Sequence, residues 1–150
     1  GTGAKELEER AQEIAETYPD KIVSILTYDN ALSHKLYASG DIFLMPSLYE
    51  PCGLSQMIAM RYGNVPVARA TGGLKNTIID FHTSPERATG FLFEEKTADG
   101  LKTALETALN IFKNKQIWYR LQRNAMSTDF SWKRSALQYL QIYQELSQKL

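Results

Sequence analysis

The stretch "DIFLMPSLYEPCGLSQMIAM", residues 41–60, joins a continuous apolar run to a second apolar segment through a proline, a glutamate, a cysteine and a glycine. The run at 41–45 has the length of a strand, and its continuous hydrophobicity predicts a strand that is covered on both faces. Pro46 ends the run, and a helix is predicted over 54–62 with Gly63 at its C-terminal end. The stretch therefore predicts one strand-loop-helix unit.

The same alternation of apolar runs and helical patterns continues on both sides of this stretch. Strands that alternate with helices at this spacing predict parallel strands joined by right-handed crossovers. We therefore expect an α/β fold, half of a doubly wound three-layer sheet, followed by a helical segment from about residue 98 to 150. The predicted strands are 21–27, 41–45, 65–68 and 90–93, and the predicted helices are 5–18, 30–38, 54–62, 74–79, 97–113, 116–126 and 132–149.

Two further expectations concern single residues of the predicted helices. Asn30 is predicted to cap the second helix, because its side-chain oxygen can accept from a free N–H of the first turn. The aromatic side chains near the C-terminus are predicted to pack between the last helices and the sheet. These are Trp118, Phe130, Trp132 and Tyr139.

The composition excludes several classes of function. The 17 basic residues of this 150-residue chain balance its 17 acidic residues, which disfavours nucleic-acid binding through phosphate contacts. No apolar run approaches the roughly 20 residues of a membrane-spanning helix. Cys52 is the only cysteine, so an internal disulfide is excluded, and with only His34 and His82 beside it no zinc site is expected. We expect a cytosolic or stromal protein, without metal, nucleic-acid or membrane partners.

Candidate functional residues come from the loops at the carboxyl ends of the predicted strands, because ligands of doubly wound sheets bind there. The loop that contains Glu50 is the most informative. The helix after Cys52 starts with unpaired N–H groups at about Gly53, Leu54 and Ser55, which favour anionic or hydroxyl oxygens. Glu50 is an acceptor suited to sugar hydroxyls, so the loop predicts a receptor for a polyol phosphate. The alternative is that Glu50 only caps the helix and Gly53 only permits the turn.

Two other loops offer weaker candidates. The sequence Thr71-Gly72-Gly73 begins a second helix and predicts a phosphate or substrate contact, with simple turn chemistry as the alternative. Tyr28 follows the predicted strand 21–27, where its ring could stack on a base; the alternative is an ordinary core or surface tyrosine. Cys52 is more typical of a small buried or backbone-anchoring residue than of a nucleophile, because no histidine with an orienting acid is near it in sequence.

Three sequence segments together resemble a known family. They are "YDNALSHKLYASGDIFLMPSLYEPCGLSQMIAMRYGNVPVARATGGLKNTI", "TGFLFEE" and "NAMSTDFSWKRSALQYLQIYQEL". The chain resembles the C-terminal nucleotide-binding domain of bacterial glycogen synthases and plant starch synthases. The resemblance implies the Rossmann-like C-terminal half of a GT-B glycosyltransferase, lacking the opening of that domain and the whole N-terminal acceptor domain.

The resemblance also implies an activity and residue roles. Such enzymes transfer glucose from ADP-glucose, or alternatively UDP-glucose, to the non-reducing end of an α-1,4-glucan with retention, and they need no cofactor. By resemblance Glu50 is the catalytic residue of the donor-sugar site. The N–H groups around Cys52, Gly53 and Leu54 meet glucose hydroxyls, Ser55 lies near the phosphates, and Tyr28 lies against adenine.

One position separates this chain from the broader class of sugar-nucleotide transferases. Those enzymes often carry a second glutamate eight residues after the first, and the corresponding residue here is Ile58. Glycogen and starch synthases similarly lack it, so Ile58 favours them. Two alternatives remain open: another sugar-nucleotide-dependent transferase or epimerase half-domain, and a non-catalytic domain that binds nucleotide or glucan.

Overall fold

The computed structural model describes residues 3–148. The chain divides into two compact units, of which the first ends at Leu36 and the second begins at Tyr37. The predicted end of the last helix at 149 lies outside the described residues. The two units are described separately.

The second unit contains a parallel sheet of three strands, which confirms the predicted α/β class. The strands are β1 (Ile42–Met45), β2 (Val65–Arg69) and β3 (Phe91–Phe93), in the order β1-β2-β3. Ile42 pairs with Val65, and Val67 pairs with Phe91. All three carboxyl ends therefore lie at one edge of the sheet.

The described residues of the two units together contain seven helices, close to the predicted bounds. Thr97, Asn114 and Ser131 cap three of them, each accepting from a backbone N–H of the first turn. The helices are α1 (Lys5–Thr17), α2 (Asn30–Ser39), α3 (Ser55–Arg61), α4 (Gly72–Thr77), α5 (Ala98–Lys113), α6 (Lys115–Ser127) and α7 (Trp132–Ser147).

Adjacent residues of β2 contribute to two different core clusters, as alternation along a strand requires. Val67 belongs with the buried residues of α5 and α6, including Trp118. Ala68 belongs with Met60 of α3 and Leu74 of α4. The sheet is thus covered by helices on both faces, and this packing holds the loops at its carboxyl edge.

The predicted strand at 21–27 is wrong. These residues form irregular backbone in the first unit, and no strand pairing within residues 3–148 includes them. Strand-like composition becomes a strand only where a neighbouring strand supplies ladder hydrogen bonds, and none of β1, β2 and β3 pairs with this run.

Two side-chain predictions also need correction. Asp29, not Asn30, caps α2, since its Oδ1 accepts from the N–H of Leu32 at 2.9 Å. Of the four aromatic residues predicted to pack, Trp118 is buried, whereas the other three are exposed: Phe130 by 37%, Tyr139 by 60% and Trp132 by 87%. The aromatic pattern correctly marked an apolar helix face but did not reveal whether this chain covers it.

Candidate functional site

The loop after β1, residues 46–54, leaves the carboxyl edge of the sheet and is tied down at its start by Arg69. The Arg69 Nε donates to the carbonyl of Ser47 at 2.7 Å, and its Nη2 donates to the carbonyl of Leu48. Arg69 is the last residue of the neighbouring strand β2. We call residues 46–54 the donor loop, and its first half is positioned by the end of the adjacent strand.

The middle of the donor loop rests on the glycine pair at the start of α4. The N–H of Gly73 donates to the carbonyl of Glu50 at 3.0 Å. A Cβ on Gly72 would collide with the Glu50 carbonyl, and a Cβ on Gly73 would collide with the backbone of Cys52. Gly72 also has a φ of +45°, a conformation that disfavours other residues. The pair therefore lets two backbone segments approach closely.

The end of the donor loop is anchored by a buried side chain that the sequence analysis missed. Gln56 is fully buried, and its Nε2 lies 3.1 Å from the carbonyl of Cys52 and 2.8 Å from that of Gly53. The same nitrogen lies 3.1 Å from the Thr77 hydroxyl of α4. A glutamine next to the apolar run "MIAM" of this helix was the sequence signal that could have revealed it.

The other side of the donor loop is open. Glu50 is half-buried, and its carboxylate has no ion pair or hydrogen bond with any residue of the range 3–148. Cys52 is exposed, and Leu54 is 67% exposed. Within the same range no acceptor takes the N–H groups of Gly53, Leu54 or Ser55, and no side chain caps α3. A free carboxylate and free amide donors thus lie on one loop.

The structure places the predicted site residues of the second unit on the donor loop and at the starts of α3 and α4. Glu50, Cys52, Gly53 and Leu54 lie on the donor loop, and Ser55 begins α3. The candidate substrate loop contacts it through Gly72 and Gly73, and the half-buried Thr71 precedes them at the start of α4. The roles of all these residues toward a ligand stay predictions.

Tyr28 belongs to the first unit and is 85% exposed, between the irregular segment 21–27 and α2. Its ring is therefore free of a core role. Stacking on a base stays a prediction.

Cationic side chains border the donor loop on the side of β3. A cavity of about 210 Å³ is lined by Leu48, Arg69 and Lys96, together with Glu95. Lys75 of α4 pairs with Glu94 at 3.9 Å. Arg69 donates to loop carbonyls and Lys75 pairs with a carboxylate, whereas Lys96 has neither an ion pair nor a side-chain hydrogen bond among the described residues.

Residues 3–148 contain no helix long and apolar enough to cross a membrane. They also contain no group of three or more histidine, cysteine, aspartate or glutamate side chains placed to hold a metal ion.

Comparison of the sequence with protein families and curated proteins gives consistent results. Residues 1–124 match the family described as glycosyl transferases group 1. The chain is 48% identical over 147 residues to the glycogen synthase of Desulfitobacterium hafniense, a match that covers 97% of this chain and 32% of that protein. The chain thus spans about a third of the length of this relative.

Solved structures agree on the fold. The catalytic domain of starch synthase IV from Arabidopsis thaliana, bound to ADP and acarbose, superimposes with a TM-score of 0.81 and 43% identity over 91% of this chain and 29% of that one. Sucrose-phosphate synthase from Thermosynechococcus elongatus gives a TM-score of 0.65 and 25% identity over all of this chain and 38% of that one. Both neighbours are synthases by name, one of starch and one of sucrose phosphate.

Proposed function

Since this chain belongs to the group 1 glycosyl transferases, we propose that it is the donor-binding part of a glycogen or starch synthase. The observation that supports this most directly is the 43% identity and TM-score of 0.81 to a starch synthase domain that was solved with ADP. The open face of the donor loop has the chemistry that such a donor requires. It offers a carboxylate acceptor at Glu50 and amide donors at Gly53, Leu54 and Ser55.

The proposed reaction transfers glucose from ADP-glucose to the non-reducing end of an α-1,4-glucan with retention of configuration. Glu50 would accept from glucose hydroxyls, while the N–H groups of Gly53 and Leu54 donate to sugar oxygens. Ser55 would lie near the nucleotide phosphates. Tyr28, with its exposed ring, would stack on adenine. ADP-glucose is the favoured donor and UDP-glucose the alternative, and no resident cofactor is required.

The chemical step is departure of a nucleoside diphosphate from the anomeric carbon through an oxocarbenium-like state. Negative charge then grows on the pyrophosphate, so preorganised N–H groups and cations lower the barrier. Only Glu50 contributes a carboxylate to the donor loop, which does not fit the paired carboxylates of retaining glycosidases. We therefore favour attack of the acceptor hydroxyl on the same face from which the diphosphate leaves, with the leaving phosphate oxygen taking the hydroxyl proton.

We further propose that catalysis needs more protein than these 150 residues. The chain spans about a third of the length of its relatives. Helix α7 has no buried residue and exposes an apolar stripe that includes Trp132, Tyr139 and Tyr143. In a complete synthase this stripe would be covered by another part of the protein, which would also supply cations for the leaving diphosphate. The isolated chain should be catalytically silent. A cytoplasmic or stromal location suits the single cysteine.

The second candidate function is another sugar-nucleotide-dependent transferase, which the likeness to a sucrose-phosphate synthase supports at 25% identity. A ribose-binding glutamate eight residues after the first is typical of that wider class. Ile58 occupies the corresponding position here, and its side chain is half-buried and apolar. This residue favours the glycogen and starch synthases.

Two measurements test the proposal. In the first, the 150-residue chain is titrated with ADP, UDP and a linear glucan, and we expect selective binding of ADP. Tight glucan binding without nucleotide affinity would instead indicate a non-catalytic glucan-binding domain. In the second, the chain replaces the matching segment of the Desulfitobacterium hafniense glycogen synthase. This chimera should elongate glycogen from ADP-glucose, whereas the isolated chain should not.

A further inference from the structure

We propose that Gln56 is a positioning residue that turns the N–H groups of Gly53 and Leu54 outward to the sugar nucleotide. This inference rests on the proposed function only for the identity of the ligand. Gln56 itself is fully buried and lies behind the donor loop rather than on its open face. Its effect on the ligand must therefore pass through the backbone.

The hydrogen bonds of Gln56 determine the orientation of two successive peptide groups. Its Nε2 donates to the carbonyls of Cys52 and Gly53, at 3.1 and 2.8 Å. Both carbonyls therefore point into the protein. No described peptide bond is cis, and in a trans peptide the C=O and N–H bonds point in opposite directions. The N–H of Gly53 shares a peptide with the Cys52 carbonyl, and that of Leu54 shares one with the Gly53 carbonyl. Both N–H groups consequently point away from Gln56.

The orientation of the Gln56 amide is itself determined by its partners. The Thr77 hydroxyl lies 3.1 Å from Nε2 and donates its own hydrogen to the carbonyl of Gly73 at 2.8 Å, so it faces Nε2 as an acceptor and shares one of the two amide hydrogens with a carbonyl. A flipped amide would set Oε1 against two carbonyl oxygens and this accepting hydroxyl. Gln56 and Thr77 thus link the donor loop to α4, on whose first residues the loop rests.

The remaining atom of the amide explains why residue 53 is a glycine. Gln56 Oε1 is buried and has no hydrogen-bond partner among the described residues, which is energetically unfavourable. A Cβ on Gly53 would collide with this oxygen, and Gly53 also has a φ of +75°. Gly53 and Gln56 therefore depend on each other. The glycine leaves room for Oε1, and the cost of this unpaired oxygen is offset by the hydrogen bonds through which Nε2 orients the loop.

The test uses Gln56→Met, which keeps the shape of the side chain and removes its donors. Gln122→Met is the matched control, because Gln122 Nε2 donates to the carbonyl of Gly63 at 2.8 Å, just beyond the opposite end of α3. In the chimera described above, Gln56→Met should raise the KM for ADP-glucose roughly tenfold or more, since small errors of position are costly in active sites. The KM for glycogen should not change, and Gln122→Met should change neither constant.

Thr77→Val tests whether Gln56 acts by orienting the two peptide groups or only by attaching α3 to α4. It removes the hydroxyl but leaves both carbonyl contacts of Gln56, so the KM for ADP-glucose should stay within about twofold of the unmutated value. An increase as large as that of Gln56→Met would overturn the proposal. So would equal KM values for Gln56→Met and Gln122→Met.

A second readout does not require activity. In the 150-residue chain, the Gly73 amide bonds to Glu50 of the donor loop and reports on loop attachment by hydrogen exchange. Gln56→Met should speed its exchange at least tenfold, and Gln122→Met should not. Unchanged exchange would overturn the positioning role even if the chimera is inactive, whereas an inactive unmutated chimera alone would count against the proposed function.

Discussion

Helices α6 and α7 are neighbours in sequence and both are amphipathic, yet the described chain covers only one of them. Helix α6 buries Trp118, Leu121 and Ala125, and its Asn124 donates to the carbonyls of Glu86 and Ala88. Helix α7 has no buried residue along its 16 positions. An amphipathic pattern thus predicts a face that needs a partner, but it does not say whether the partner belongs to the same 150 residues.

The same distinction separates residues within the candidate site. Gly73 is buried and holds the donor loop against α4, so it serves the chain itself. The Glu50 carboxylate, on the same loop, has no partner within the described residues. Residues that are satisfied inside the chain should mainly affect stability when changed, and residues left open should mainly affect binding or activity.

The two tryptophans give the sharpest contrast. Trp118 is 1% exposed and Trp132 is 87% exposed. Trp118→Ala should lower the free energy of unfolding by about 3–5 kcal/mol, because it leaves a large cavity in the core. Trp132→Ala should change it by less than about 0.5 kcal/mol in the isolated chain. Urea unfolding followed by circular dichroism measures both. A large loss from Trp132→Ala would mean that α7 is covered within the chain after all.

Glu50→Ala should reduce turnover strongly and stability very little, the reverse of the effect expected for a buried core residue. In the chimera we expect turnover to fall by roughly 10²- to 10³-fold, as when other preorganised electrostatic contacts are removed. The melting temperature should move by no more than a degree or two, because the carboxylate has no partner to lose among residues 3–148. Steady-state kinetics and thermal unfolding on the same preparation measure both quantities. Parallel losses of activity and stability would assign Glu50 a structural role.

Gly73→Ala tests the close contact between the donor loop and the start of α4. The added methyl group would collide with the backbone of Cys52, which can move only if the loop moves. We expect a loss of about 1–3 kcal/mol in unfolding free energy, typical of overpacking, together with weaker ADP binding. Gly3→Ala is the control, since a Cβ there meets no atom within 4 Å. If Gly73→Ala left both stability and ADP binding unchanged, the close approach would not matter.

The sequence correctly predicted the strands that pair with one another within the described residues. It was wrong for a run that has strand composition but no strand pairing there. The continuous apolar runs at 41–45 and 65–68 correctly gave β1 and β2, and the turn after Arg61 correctly gave Gly63, with a φ of +81°. The run at 21–27 has the composition of a strand, but a ladder needs a neighbour that composition does not reveal. Strand propensity alone therefore predicted a strand where the structure has irregular backbone.

The candidate site was predictable only in part. Glu50 and Gly53 are conspicuous because a glutamate and a glycine follow a strand of an α/β sheet, where ligands bind. Gln56 and Arg69 were missed because their importance lies in contacts with carbonyl oxygens of the donor loop, and any residue can supply a carbonyl. Backbone acceptors leave no trace in the sequence, so the residues that orient them become visible only in three dimensions.

The smallest predicted effect concerns the start of α7, which local contacts alone support. Asp129 Oδ1 accepts from the N–H of Ser131 at 2.8 Å, and this bond holds the pKa of Asp129 below its usual value of 3.8, with help from the Ser131 hydroxyl and from Arg134. Because the folded pKa is lowered, the contribution to stability is present at pH values above the usual 3.8 and is lost as the pH falls through the folded pKa.

An NMR titration of the Ser131 amide should therefore show a transition below pH 3.8, the usual value of the carboxyl group. The transition should be absent in Asp129→Asn, which keeps an acceptor oxygen but cannot ionise. The fully exposed carboxyl makes the effect small and sensitive to salt. A midpoint above 3.8 would show that the carboxylate is not held by Ser131 in solution. In that case even the local support of α7 would depend on whatever covers its apolar stripe.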